Sequence, residues 1–195
     1  METFIHQFFQ QLINGVSLGS IYALIALGYT MIYGIIKLIN FAHGDIYMVG
    51  AYAGFFAATA TDLPFIACII CAMAVTGVLG IVVERLAYKP LRHSPKIAIL
   101  TTAIGVSLFL EYTTMLILSP QPRTFPQLIN NTIYNWGGIV ISLQQIIILV
   151  TAIVLMIVLT YVVNYTKMGK AMRAVSEDMD AAQLMGINLD STISF

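Results

Sequence analysis

The stretch Leu143-Gln144-Gln145-Ile146-Ile147-Ile148-Leu149-Val150-Thr151-Ala152-Ile153-Val154-Leu155-Met156-Ile157-Val158-Leu159-Thr160-Tyr161-Val162-Val163 contains no charged side chain. A helix needs about 20 such residues to cross the hydrocarbon core of a bilayer. Four more apolar runs share its character: Leu12 to Ile36, Ile46 to Thr61, Pro64 to Val83 and Ile97 to Leu118. A water-soluble chain of 195 residues has no interior that could take all five. The expected fold is therefore an all-α polytopic membrane protein, a bundle of about five transmembrane helices. The second run is short, and reads either as a tilted span or as a half helix entered from a broken segment.

Composition agrees. Hydrophobic residues make up 59% of the chain and charged residues 9%, against about 25% charged in a soluble domain. Net charge is zero, so nothing draws the chain electrostatically to nucleic acid. No Lys or Arg precedes the first apolar run, which is also too long for a signal-peptide core and is expected to stay in the mature chain. Cys68 and Cys71 lie inside an apolar run with no second pair and no nearby His, which excludes a zinc pattern and leaves them as small packing residues.

The basic residues give an orientation. Lys37 follows the first run; Arg85, Lys89, Arg92 and Lys96 follow the third; Lys167, Lys170 and Arg173 follow the fifth, and only Arg123 falls elsewhere. By the positive-inside rule these three connections are cytoplasmic. The amino terminus and the segment 119–138 are then outside, and 164–190 inside. The outside segment carries Pro120, Pro122, Pro126, Asn130, Asn131 and a Gly-Gly pair, and is expected to form an ordered cap with turns. Gly15 with Gly19, and Gly50 with Gly54, make small-xxx-small faces suited to close helix packing.

After the fifth run the pattern changes. Met168, Ala171, Met172, Val175, Met179, Ala182 and Met185 recur at three- and four-residue steps, with Lys170, Arg173, Glu177, Asp178 and Asp180 off the stripe. This predicts an amphipathic helix that is too polar to span, lying in the lipid interface or in a groove on a soluble partner. Within it, Asp180-Ala181-Ala182, followed after three residues by Gly186, resembles the EAA motif of ABC importer permeases, with Asp in place of Glu. The resemblance implies a cytoplasmic coupling helix that docks on an ATPase subunit.

The first third narrows the family. Asn14-Gly15-Val16-Ser17-Leu18-Gly19-Ser20-Ile21-Tyr22-Ala23-Leu24, Tyr33-Gly34-Ile35-Ile36 and Ile39-Asn40-Phe41-Ala42-His43-Gly44-Asp45 resemble the LivH-type permeases of leucine, isoleucine and valine importers. Glu84-Arg85-Leu86-Ala87-Tyr88-Lys89-Pro90-Leu91-Arg92 and Gly169-Lys170-Ala171-Met172-Arg173-Ala174 are similar to later signatures of that family. The resemblance runs from about residue 11 to the end. It implies a single transmembrane permease domain over 1–195, the N-terminal portion of a longer permease, in a bacterial inner membrane. It also implies coupling contacts through Gly169, Ala171, Arg173, Ala174, Asp180, Ala181, Ala182 and Gly186. The implied partners are a second homologous permease, two ABC ATPase subunits holding ATP and Mg, and a periplasmic or lipid-anchored substrate-binding protein. This chain itself has no Walker A pattern, because Gly169-Lys170 is followed by Ala171 and lacks the upstream glycine.

Asn40, His43, Gly44 and Asp45 form the densest polar cluster beside a span. Two readings stand: a break at membrane depth lining a translocation path, or a cytoplasmic loop in which Asn40 or Asp45 caps a helix. Glu111, inside the fourth run, either lines the path and pairs there or reaches the interface by snorkelling. No catalytic constellation or metal set is recognisable. The expected function is import of branched-chain amino acids. The alternatives are an ABC permease for urea or short amides, and an ion-coupled secondary transporter for which Asp45 and Glu111 are the candidate ion groups.

Overall fold

The computed structural model describes residues 2–37, 39–61, 63–92, 94–129, 132–136 and 139–194. In chain order the helices are α1 (Glu2–Ile36), α2 (His43–Ala60), α3 (Phe65–Val83), α4 (Lys96–Leu118), α5 (Leu143–Tyr165), α6 (Lys167–Glu177), α7 (Met179–Leu184) and α8 (Leu189–Ser194). An antiparallel hairpin, β1 (Ile133–Trp136) with β2 (Ile139–Ser142), lies between α4 and α5. Among the described residues, Phe4–Gly34, Phe65–Leu91, Lys96–Leu118 and Leu143–Tyr165 are long and apolar enough to cross a membrane. The chain is an all-α multi-pass membrane protein. The remaining expected span, α2, is an 18-residue helix outside that set, its first turn made polar by His43 and Asp45.

The distribution of side chains is that of a protein solvated by lipid. Buried positions are mostly small, such as Ala42, Cys68, Ala103 and Ala152, whereas Leu116, Ile97 and Leu86 are 87%, 76% and 75% exposed. Small residues at helix contacts let backbones approach where lipid supplies no hydrophobic drive for association.

The chain divides into two units, Met1–Lys37 with Ile129–Ile193, and Leu38–Leu128. In the first, α1 packs along α5. At 35 residues α1 is about 50 Å long, and it begins ten residues before the expected span. The Gln10 side chain ties its amino-terminal third to β2. The Gln10 amide donates to the Val140 carbonyl at 2.8 Å and accepts from the Val140 N–H at 2.7 Å, completing the free edge of β2 as another peptide unit would. Asn14 accepts from both Gln10 and Gln145. Gln145 also closes a capping box with Ser142 that starts α5. The hairpin was not expected from sequence, although Ile133, Tyr134, Val140 and Ile141 are strand formers. The glycine pair at its tip, Asn130 and Asn131 lie outside the described residues.

In the second unit α2 and α3 run antiparallel in close contact. A Cβ on Gly50 would lie 2.5 Å from Thr76 Cγ2, and one on Gly54 would lie 3.5 Å from the Ala72 Cβ. Ala57, Ala58 and Cys68 continue this seam, with Cys71 and Leu128 against it. After α3 the helix widens to a π turn over Glu84–Tyr88 and tightens to a 3-10 turn over Lys89–Leu91. Pro90 is the cause, since its ring would clash with the carbonyl four residues before it in a regular helix. Glu84 pairs with Arg92 across this change at 2.5 Å. On the other side of the unit, Arg123 lies over the rings of Phe55 and Phe56 and donates to the Leu118 carbonyl.

Candidate functional site

Two places hold the residues that the sequence singles out. The first is in the Leu38–Leu128 unit. Asn40 is half-buried, and its side-chain oxygen accepts from the Ala42 N–H at 3.1 Å and from the Tyr88 hydroxyl at 2.6 Å. Residues 39–42 are non-helical, and α2 starts at His43. The N-cap residue is Ala42, with no side-chain cap, so neither Asn40 nor Asp45 caps the helix. Asn40 instead shapes the turn before it. Asp45 sits in the first turn, where a carboxylate is favoured by the helix dipole. It accepts a hydrogen bond from the Ser107 hydroxyl.

Ser107 is the midpoint of α4, about 16 Å from either end. The first turn of α2 therefore lies level with the middle of a helix long enough to span. The α2–α3 contact agrees: with Gly50 opposite Thr76 and Gly54 opposite Ala72, His43 falls level with Val83, while the spanning segment continues to Leu91. Within a bilayer, non-helical backbone is tolerated only where protein buries it or a cavity receives it. Glu111 stands one turn beyond Ser107 on the same face of α4. It is exposed, and no hydrogen bond or ion pair to it is found among the described residues. Gly44 is exposed and His43 half-buried.

The second place is the polar loop after α5. The expected single amphipathic helix is two, α6 and α7, broken at Asp178, whose carboxylate caps α7 by accepting from the N–H groups of Asp180 and Ala181. Thr166 caps α6 by accepting from the Gly169 N–H at 3.0 Å. Most of the apolar stripe is used within the chain: Met172, Val175 and Ala182 are buried and Met168, Ala171 and Met179 half-buried, while beside the stripe Gly169 is buried and Ala174 half-buried. The α6 part of a face expected to lie in the lipid interface or in a partner's groove thus packs on α1 and α5, and α7 packs on α6. Arg173, Asp180 and Ala181 are exposed. The apolar groups left outside are Leu184 and Met185, 88% and 83% exposed.

Gly186 fixes where that pair points. Its φ is +85°, its N–H donates to the Gln183 carbonyl, and the Ile187 N–H donates to that of Ala182. These two bonds are a Schellman ending, which needs a left-handed residue at this position. At Gly15 and Gly19, by contrast, no atom of the described residues lies within 4 Å of where a Cβ would stand, so those two positions are uncovered among the described residues.

Residues 11–195 match the family described as the permease component of branched-chain amino acid transport systems. The chain belongs to this permease family. It is 40% identical, over 97% of its length, to the high-affinity branched-chain amino acid transport system permease protein BraD of Pseudomonas aeruginosa. It is 39% identical over 99% of its length to the LivH permease protein of Escherichia coli, and 30% identical over 88% to a probable LivH of Methanocaldococcus jannaschii. It spans 66% of the first two relatives and 56% of the third. No solved structure matches it.

Of the four residues that position this permease's polar groups, Ser107 and Tyr88 carry weak sequence signals. Ser107 is a lone hydroxyl in an apolar run, and its partner is 62 residues away. Tyr88 belongs to a quoted signature, yet nothing in that stretch points to Asn40. Asp178 and Thr166 do carry a local signal, since Asp and Thr are preferred N-cap types.

Proposed function

We propose that this chain is part of the permease subunit of an ATP-driven importer for leucine, isoleucine and valine in a bacterial inner membrane, with its amino terminus outside. The observation that carries the reading is the start of α2 level with the middle of α4, marked by the Asp45–Ser107 bond. A helix that opens at mid-depth offers its N–H groups to a substrate carboxylate, while Asp45 and Glu111 offer acceptors for an ammonium. Asn40, His43, Gly44, Asp45 and Glu111 then line the path. The names of the relatives supply the substrate class.

In this reading the permease pairs with a homologous subunit, and the open Gly15–Gly19 face takes a neighbouring span. Two cytoplasmic ATPases, which hold the ATP and Mg, grip α6 and α7. A binding protein delivers substrate from outside. ATP-driven closure of the ATPases shifts the helices between outward and inward access. The contact is through Leu184 and Met185, presented by Asp180-Ala181-Ala182 and turned by Gly186. Ala182 is 5% exposed, so a large residue there would break α7 itself. Leu184 is the cleaner probe.

The test is ATP-driven leucine uptake by full-length permease reconstituted with its ATPases and binding protein. Leu184→Asp is expected to reduce uptake at least tenfold with insertion and thermal stability unchanged. Uptake equal to the unmodified protein would remove α7 from the coupling path. Leucine uptake that follows an ion gradient without the ATPases would transfer the assignment to a secondary transporter.

A further inference from the structure

The unit of Met1–Lys37 and Ile129–Ile193 contains a cleft of about 410 Å³, open on one side rather than enclosed. That size is within the range of ligand sites. Its walls are the last turns of α1, the last turns of α5 and one side of α6. Met31, Val163 and Met172 make most of the surface apolar, and Thr160 and Ser176 add hydroxyls. Arg173 is the one charged residue among those lining it.

Arg173 is exposed and spends one N–H on the Asn164 carbonyl at 3.2 Å. A guanidinium has five N–H donors, so it can hold a second acceptor at the same time. Lys167 and Lys170, on the same short helix, are exposed as well. An apolar slot between two spanning helices, lined by a guanidinium on a helix that carries two exposed lysines and one exposed acid, Glu177, matches the two halves of an anionic amphiphile. Its chain takes the slot, and its phosphate takes the arginine.

We propose that this cleft binds one anionic glycerophospholipid of the cytoplasmic leaflet, headgroup on Arg173 and acyl chain between α1 and α5. The leaflet rests on the orientation proposed above, but the site does not rest on transport. A lipid seated there touches both α5 and α6, and so bears on how firmly the polar loop is held.

The test uses full-length permease in nanodiscs of phosphatidylcholine with phosphatidylglycerol as the minority lipid, an anionic surface of the kind that attracts basic segments, with retained lipid counted by native mass spectrometry after transfer to detergent. The unmodified protein is expected to keep phosphatidylglycerol preferentially. Arg173→Gln is expected to lower that retention at least fivefold while phosphatidylcholine retention stays unchanged. Because Arg173 also bonds Asn164, Gly34→Leu is the second variant. Gly34 lines the cleft, no atom lies within 4 Å of its Cβ position, and the variant leaves the guanidinium intact. It is expected to exclude the lipid equally. Equal retention of the two lipids, or retention unmoved by both variants, overturns the proposal, as does a full-length permease whose own helices fill the slot. Retention is read without uptake, so failure here leaves the importer reading standing, and the converse holds.

Discussion

Gly169 lies so near the end of α5 that a Cβ on it would come within 2.2 Å of the Val163 carbonyl oxygen and 2.4 Å of the Val162 carbonyl oxygen. Both obstacles are backbone, so neither can rotate away. Gly169→Ala is therefore expected to push α6 off α5, at the 1–3 kcal/mol or so typical of overpacking. Val175, 1% exposed on the buried face of α6, supplies the readout. A cysteine placed there with Val175→Cys is expected to gain reactivity toward a maleimide at least tenfold when Gly169→Ala is added. The same change at Gly105, whose Cβ would meet no atom within 4 Å, is expected to leave it shielded.

A sharper version of the argument applies to α2 and α3. The Cβ of Gly50→Ala would meet Thr76 Cγ2 at 2.5 Å. That methyl is pinned, because Thr76 Oγ1 donates to the Ala72 carbonyl at 2.5 Å. Gly54→Ala would reach only ordinary contact with Ala72. Thermal unfolding in detergent is expected to rank Gly50→Ala about 1–3 kcal/mol below Gly54→Ala. Thr76→Ser, which removes the methyl and keeps the hydroxyl, is expected to restore most of the loss. Without that rescue the clash is not the cause.

How much of this was legible depends on the range of the cause. The four long spans were visible because run length and apolar composition are local properties. The start of α1 was missed by ten residues because His6, Gln7, Gln10 and Gln11 interrupt the apolar run, yet Gln is a good helix former and Gln10 has Val140 to bond. The break between α6 and α7 was hidden because the apolar stripe keeps its period across Asp178, while the cap there depends on one carboxylate. The level of Asp45 along α4 could not be read at all. It is set by Ser107, and no local pattern reports a contact between helices so far apart in sequence.

Ser119 ends α4 with φ 66° and ψ 151°, a conformation in which a Cβ is strained. The side chain is exposed, so removing it uncovers nothing. Ser119→Gly is expected to raise stability by about 1 kcal/mol, seen as a higher melting temperature in detergent. An unchanged or lower value would show that this turn relaxes in the protein.

Asp45 and Ser107 separate a structural role from a transport role. Asp45→Asn keeps an oxygen for the Ser107 hydroxyl and removes the charge, so the α2–α4 contact should survive. Ser107→Ala keeps the charge and removes the donor, which is expected to lower stability by about 1.5–3 kcal/mol, the range for a hydrogen bond to a charged group. If the carboxylate serves a substrate ammonium, Asp45→Asn raises the KM for leucine uptake at least tenfold at nearly constant stability, and Ser107→Ala shows the reverse pattern. Should both variants instead lose stability and uptake in parallel, Asp45 holds α2 against α4 and the ammonium acceptor must be sought at Glu111, whose exposed carboxylate has no partner among the described residues.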